Sequence, residues 1–125
     1  MAGLTLDAGA LIAFDKNDRR VVALISRALH HRYSLAVPAG VVGQVWRDGR
    51  QQARLARLLG SNELTVEALN DQTARASGQL CGVRGTADVI DASVVLCARR
   101  HDHRIATSDP DDLRALDPRA ELIVV

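Results

Sequence analysis

A chain of 125 residues, 47% hydrophobic and 25% charged, is long enough for one real core and short for two, so a single domain over residues 1–125 with one site is expected. No apolar run approaches the ~20 residues of a membrane helix, and a net charge of +1 does not announce a nucleic-acid binder, although segregated acids and arginines can still make an acidic pocket with basic walls. The N-terminus runs straight into LTLDAGALIAF without a signal peptide, and Cys81 and Cys97 stand apart from each other and from metal-like spacing; both read as small buried residues in a reducing compartment, the cytoplasm.

Gly3 to Leu6 is a short apolar strand followed at once by Asp7, and Ala8 to Phe14 then turns helical. A second helix starts from Asn17 or Asp18 as cap and carries Val21, Val22, Leu24, Ile25 and Leu29 at helical spacing. Ser34 to Val37 is the second strand. Pro38 suits the first turn of a helix that Val41, Val42, Val45 and Trp46 continue to a stop at Gly49, with Gln44 as its polar residue. Gln51 to Leu59 makes another helix, Glu63 to Val66 a third strand, and Glu67 to Val83 a long helix ending in the loop Gly82 to Gly85.

The most telling stretch is TADVIDASVVLCARRHDHRIATSDPDD, Thr86 to Asp112. Asp88 and Asp91 fall on the first turn of a helix whose apolar face carries Val94, Val95 and Ala98. His103 to Thr107 reads as a buried strand closed by Ser108-Asp109-Pro110-Asp111-Asp112. A short helical turn over Leu113 to Leu116 and a terminal strand from Glu121 to Val125 complete the chain. Strands alternating with helices argue for an α/β fold of three layers, α/β/α, with a mainly parallel sheet.

Asp is favoured at helix starts and in turns for local hydrogen-bonding reasons, so no single acid signifies chemistry. Together they do more: Asp7 after the first strand, Asp88 and Asp91 at a helix start, and Asp109 with Asp112 after a later strand converge on one sheet edge, beyond the strand ends where α/β sites form. Such a cluster repels itself unless a hard cation sits among the carboxylates, which points to Mg²⁺, or Mn²⁺, and to phosphate chemistry.

In order and in local wording the chain resembles the PIN-domain nucleases, in particular the VapC-type ribonuclease toxins of bacterial toxin–antitoxin pairs. LTLDAGALIA resembles that family's opening strand and first acid, VPAGVVGQVWRDG its second motif, DVIDASVVLCA its third and IATSDPDDL its fourth. The resemblance implies a PIN-like fold and a metal-dependent endoribonuclease that hydrolyses RNA phosphodiesters with a metal-activated water. It also implies an antitoxin that covers the site and a homodimer. Carried onto these residues, it makes Asp7, Asp91 and Asp109 catalytic metal-site acids, with Asp88 and Asp112 as neighbours. The second motif normally supplies a Glu, and Gln44 stands in its place; an amide can hydrogen-bond but carries no charge and accepts no proton. A natural weakly active protein, one that only binds antitoxin or RNA, and one deliberately disarmed are all compatible with that residue.

Arg47, Arg50, Arg54 and Arg57 recur at three- and four-residue spacing and would form one RNA-facing stripe if their helices were continuous, or else a solvated face. With one Phe, one Tyr and one Trp there is little material for stacking bases, and Trp46 reads as packing beside Gln44. His30-His31 and His101-x-His103 lack a completing ligand set for a soft metal and fit helix C-termini. Two other aspartate enzymes that begin with a strand and an Asp fit poorly. A haloacid-dehalogenase-like phosphotransferase wants a second Asp where Gly9 stands, and a phosphoacceptor receiver wants a late lysine, whereas Lys16 is the only lysine.

Overall fold

A computed structural model describes residues 3–125. In chain order the elements are β1 (Gly3–Leu6), α1 (Ala8–Asp15), α2 (Arg19–His30), β2 (Ser34–Pro38), α3 (Ala39–Val45), α4 (Ala53–Leu59), β3 (Leu64–Glu67), α5 (Asp71–Arg84), α6 (Val89–His101), β4 (Arg104–Thr107), α7 (Pro110–Leu116) and β5 (Leu122–Val124). The five strands form one sheet in the order β3-β2-β1-β4-β5, and every pairing is parallel. All four residues of β1 are buried, as befits a central strand covered on both faces, and this is why it reads as an apolar run and not as an alternation.

Helices α5 and α7 flank α6, which lies over β1, β2 and β4, while α1 packs with α2, α3 and α4. Between the two groups the core holds Leu6, Leu11, Ile25, Leu35, Val94, Ile105 and Leu113, all essentially inaccessible. From β1 the chain moves outward through β2 to β3, then returns to lay β4 on the other side of β1. That reversal leaves a crevice between the carboxyl ends of β1 and β4, the place where open α/β sheets bind ligands.

Most predicted elements stand, with boundaries moved for local reasons. Pro38 is the last residue of β2 and the cap position of α3, so it lies outside the helix it was expected to open. Helix α3 ends at Val45 and not near Gly49. The Gln52 side chain accepts from the Arg47 and Asp48 amides at 2.8 and 3.0 Å and donates to the Val45 carbonyl at 2.9 Å, closing the α3–α4 connection with groups a longer helix would have satisfied itself. Glu67 belongs to β3, not to the long helix after it. An Asn70–Thr73 capping box starts α5 at Asp71, and the helix passes through Gly82 to stop at Gly85, whose φ of 71° is the left-handed region that glycine takes without penalty.

Candidate functional site

The acids predicted from sequence do come together. Asp7, Asp88, Asp91, Asp109 and Asp112 line one cleft of about 330 Å³ with Ala8, Gly9, Val41, Gln44, Arg47 and Val94. Asp7 leaves the end of β1 with its amide bonded to the Ala106 carbonyl of β4, and its Oδ1 caps α1 by accepting from the Ala10 amide at 2.9 Å. Asp88 caps α6 in the same manner, accepting from Ile90 and Asp91 at 3.1 and 3.0 Å. The capping role weighed for these acids is therefore real for two of them. It uses Oδ1 in each and is compatible with a place in the cleft.

Asp109 and Asp112 arrive differently. Asp109 occupies the cap position of α7 without a side-chain cap bond, and its amide donates to the Thr107 hydroxyl at 2.9 Å, which fixes the turn leaving β4. Asp112 follows in the first turn of α7. Gln44, in the last turn of α3, is exposed and also lines the cleft. The floor is tight: a Cβ on Gly9 would lie 1.8 Å from the Ser108 hydroxyl oxygen and 2.8 Å from its Cβ, so a side chain there would push the β4–α7 turn out of place.

Charge in this cleft is poorly compensated. Among the described residues no ion pair involves any of the five acids. Burial first, then the carboxylates of Asp88, Asp112 and Asp7, push Asp91 up to about 7. Burial also raises Asp7, with Asp109 adding to it, while the Thr107 hydroxyl and the Ala10 and Ser108 amides pull the other way. These are the marks of a site that lacks a positive partner. Arg47 lines the cleft, but its guanidinium is turned onto the Trp46 and Gly43 carbonyls at 2.6 and 3.3 Å.

An all-oxygen donor set with uncompensated charge fits a hard divalent cation. No three of the five acids offer ligand atoms within 4.8 Å of one another, so a Mg²⁺ ion here would be held partly through its waters.

Other predicted residues are placed less favourably. Arg50, Arg54 and Arg57 do not line the cleft, and the break between α3 and α4 puts Arg47 and Arg50 in a loop, so the four arginines form no continuous helical stripe. Trp46 stands just past α3 with its ring over Gly49, 39% exposed, so it packs on its own loop only in part. His30 and His101 close α2 and α6 as expected, but His103 is buried, bonded to the Thr5 hydroxyl at 3.1 Å and to Ser34 at 2.7 Å. Thr107 was read only as strand, yet it supports both Asp7 and Asp109. A hydroxyl at the last strand position, two residues before an acid, is the pattern that could have revealed it.

No protein-family model and no characterised protein sequence matches the chain. Its backbone is nevertheless similar to chains of three solved structures. One is VapBC2 from Rickettsia felis bound to a DNA fragment from its promoter (TM-score 0.69, 14% identity, 98% of each chain covered). Another is FitAB bound to an IR36 DNA fragment (0.66, 15%, 97% of this chain and 94% of that one). A third is FitAcB from Neisseria gonorrhoeae (0.63, 18%, 96% of each). The fold is PIN-like. Five parallel strands between two groups of helices match that architecture over nearly the whole chain, and the expectation of a mainly parallel sheet sharpens to a wholly parallel one.

Proposed function

We propose that this chain is the toxin of a toxin–antitoxin pair and that its acidic cleft is the active site of a Mg²⁺-dependent endoribonuclease. The observation that carries the reading is the convergence of five aspartates from three segments on one cleft with no ion pair to neutralise them. Asp7, Asp91 and Asp109 would hold the ion, Mn²⁺ being an alternative, with Asp88 and Asp112 completing the negative rim. Bound there, the ion supplies Lewis-acid activation of a water and charge neutralisation at a scissile phosphodiester.

The protein's own part is to place and charge these groups. Thr107 and the amides of Ala10 and Ser108 hold Asp7 in orientation. The first turn of α6 sets Asp91 among Asp88, Asp112 and Asp7, where burial and their charges favour its protonated form and where a bound cation would favour the carboxylate. Arg47, which lines the cleft, would meet an RNA phosphate by leaving the Trp46 and Gly43 carbonyls, while Arg50, Arg54 and Arg57 lie outside the cleft. Gln44 faces the acids as an amide hydrogen-bonding group without charge. An antitoxin that covers the cleft, a homodimeric toxin and action in the cytoplasm complete the reading. The likeness to complexes of this type supports the antitoxin partner, and the described residues contain no helix long and apolar enough to cross a membrane.

Gln44 favours a second reading, a PIN-like module that retains antitoxin or RNA binding without cutting. The two separate in one experiment: Mg²⁺- and Mn²⁺-dependent RNA cleavage by the chain, by Gln44→Glu and by Asp7→Asn as the contamination control. Cleavage by the chain supports the enzyme, and cleavage by the Glu form alone identifies Gln44 as a missing catalytic carboxylate. Failure of both with antitoxin binding intact establishes the binding module, and cleavage that survives Asp7→Asn rejects the site.

A further inference from the structure

A second group of metal-ligating side chains stands outside the acidic cleft. Cys97 and His101 are four residues apart and share one face of α6, and Glu67 reaches them from the end of β3. One carboxylate oxygen, the thiol sulfur and one imidazole nitrogen all lie within 4.8 Å of one another. Cys97 and His101 thus have a metal-like spacing, Cys-x-x-x-His, and the completing ligand is Glu67, 34 residues before His101 in the chain and not a neighbouring histidine.

We propose that Glu67, Cys97 and His101 form a binding site for a thiophilic divalent cation of the zinc class, independent of the aspartate cleft. Sulfur, imidazole and carboxylate together are a donor set for Zn²⁺ and unlike the all-oxygen set favoured by Mg²⁺. Bond lengths of about 2.0–2.3 Å place ligand atoms roughly 3.2–3.8 Å apart in a tetrahedral shell, so the Glu67–His101 pair, now 2.6 Å apart, must open slightly and no pair has to close by more than about 1–2 Å. Rotation of the Glu67 and His101 side chains, 18% and 33% exposed, supplies that movement, while Cys97 is fully buried behind them. An ion thus has a route from solvent, and a water completes the shell.

The surroundings are those of supported ligands. Glu67 Oε1 lies 2.6 Å from His101 Nε2, and the Arg100 guanidinium donates to both carboxylate oxygens, so the carboxylate is oriented towards the imidazole and an ion would take the place of the Oε1–His101 bond. The Thr5 hydroxyl donates to the Cys97 sulfur at 3.8 Å, and the His101 ring stacks on the buried His103 at 5.0 Å between centroids. Such outer contacts fix ligand geometry in metal sites. Cys97 is a protonated thiol at neutral pH, pushed up to about 12 by burial and by the Glu67 charge. Binding therefore forms the metal–sulfur bond as the thiol proton leaves to solvent. Along α6 the rise from Asp91 is about 9 Å to Cys97 and about 15 Å to His101, so the two centres share no ligand.

The test uses the full chain, purified metal-free, titrated with Co²⁺ and then Zn²⁺. One equivalent of Co²⁺ should produce a thiolate-to-metal absorption that Zn²⁺ displaces. Asp91→Asn should leave it intact, Cys97→Ser should remove it, and His101→Gln, at a partly exposed helix end, should weaken binding at least about tenfold while the circular dichroism stays native. Absence of the band at one equivalent, or its persistence in His101→Gln, overturns the site and leaves Glu67 as an ion-pair partner only. Co²⁺ binding that gives no thiolate band and is lost in Asp91→Asn would also overturn the site and place the ion in the cleft, whose lining residues carry no sulfur.

Discussion

Asp91→Asn offers a quantitative test of the cleft's electrostatics that does not depend on any activity. Burial and three facing carboxylates raise Asp91 from an ordinary 3.8 to about 7. The folded state therefore holds this proton more tightly than the unfolded chain. The associated stability is fully present below the ordinary value and is lost as pH rises towards the folded value, staying flat above it. At about 1.4 kcal/mol per pH unit the full effect is about 4 kcal/mol, and screening by water in a half-open cleft reduces it to about 2 kcal/mol. For a domain of this size each kcal/mol moves Tm by about 4 °C, so Asn should raise Tm by about 8 °C at pH 8 and leave it nearly unchanged at about pH 4. Thermal melts of both proteins across that range, at low and high Mg²⁺, provide the assay. Mg²⁺ should narrow the gap at pH 8 by stabilising the wild type alone. A Tm difference that is constant with pH would refute the argument, because it would mean that the Asp91 carboxylate is not held against its neighbours.

Three further outcomes follow from packing and charge. Gly9→Ala, whose Cβ would meet Ser108, should cost about 1–3 kcal/mol in denaturant unfolding, whereas Gly40→Ala, which meets only the flexible end of Ile90, should cost less than about 1 kcal/mol. His103→Leu removes one hydrogen bond each from the Thr5 and Ser34 hydroxyls and should cost about 1–2 kcal/mol at neutral pH. Burial and the neighbouring His101 lower the His103 pKa, so its contribution is lost as pH falls through that depressed value, and the wild-type advantage over His103→Leu should shrink on acidification. Arg47→Gln should reduce the salt slope of RNA binding by about one, while Arg57→Gln, away from the cleft, should change it less; equal effects would count against Arg47 as the phosphate contact.

What sequence could and could not disclose divides along physical lines. Asp7, Asp91 and Asp109 were legible because strand ends and helix starts fix where side chains point, and a wholly parallel sheet collects those ends on one edge. The arginine stripe depends on one continuous helix, and it does not form because Gln52 holds the chain in a loop between two. Nothing in a helical period reveals a glutamine side chain that substitutes for helix hydrogen bonds.

Cys97 shows the complementary limit. Its apolar neighbours Val94, Val95 and Ala98 made it look like core, and by burial it is core. Its chemistry depends on Glu67, which the sequence placed at the start of a helix and which folding places at the end of β3, beside α6. A one-turn shift in a helix boundary thus decides whether a carboxylate faces solvent or a thiol. Acid sites at strand ends survive errors of that size because every strand end in a parallel sheet reaches the same edge. Sites between the side of a helix and an edge strand do not, since they require a particular register on both elements, and register is a property of packing more than of pattern.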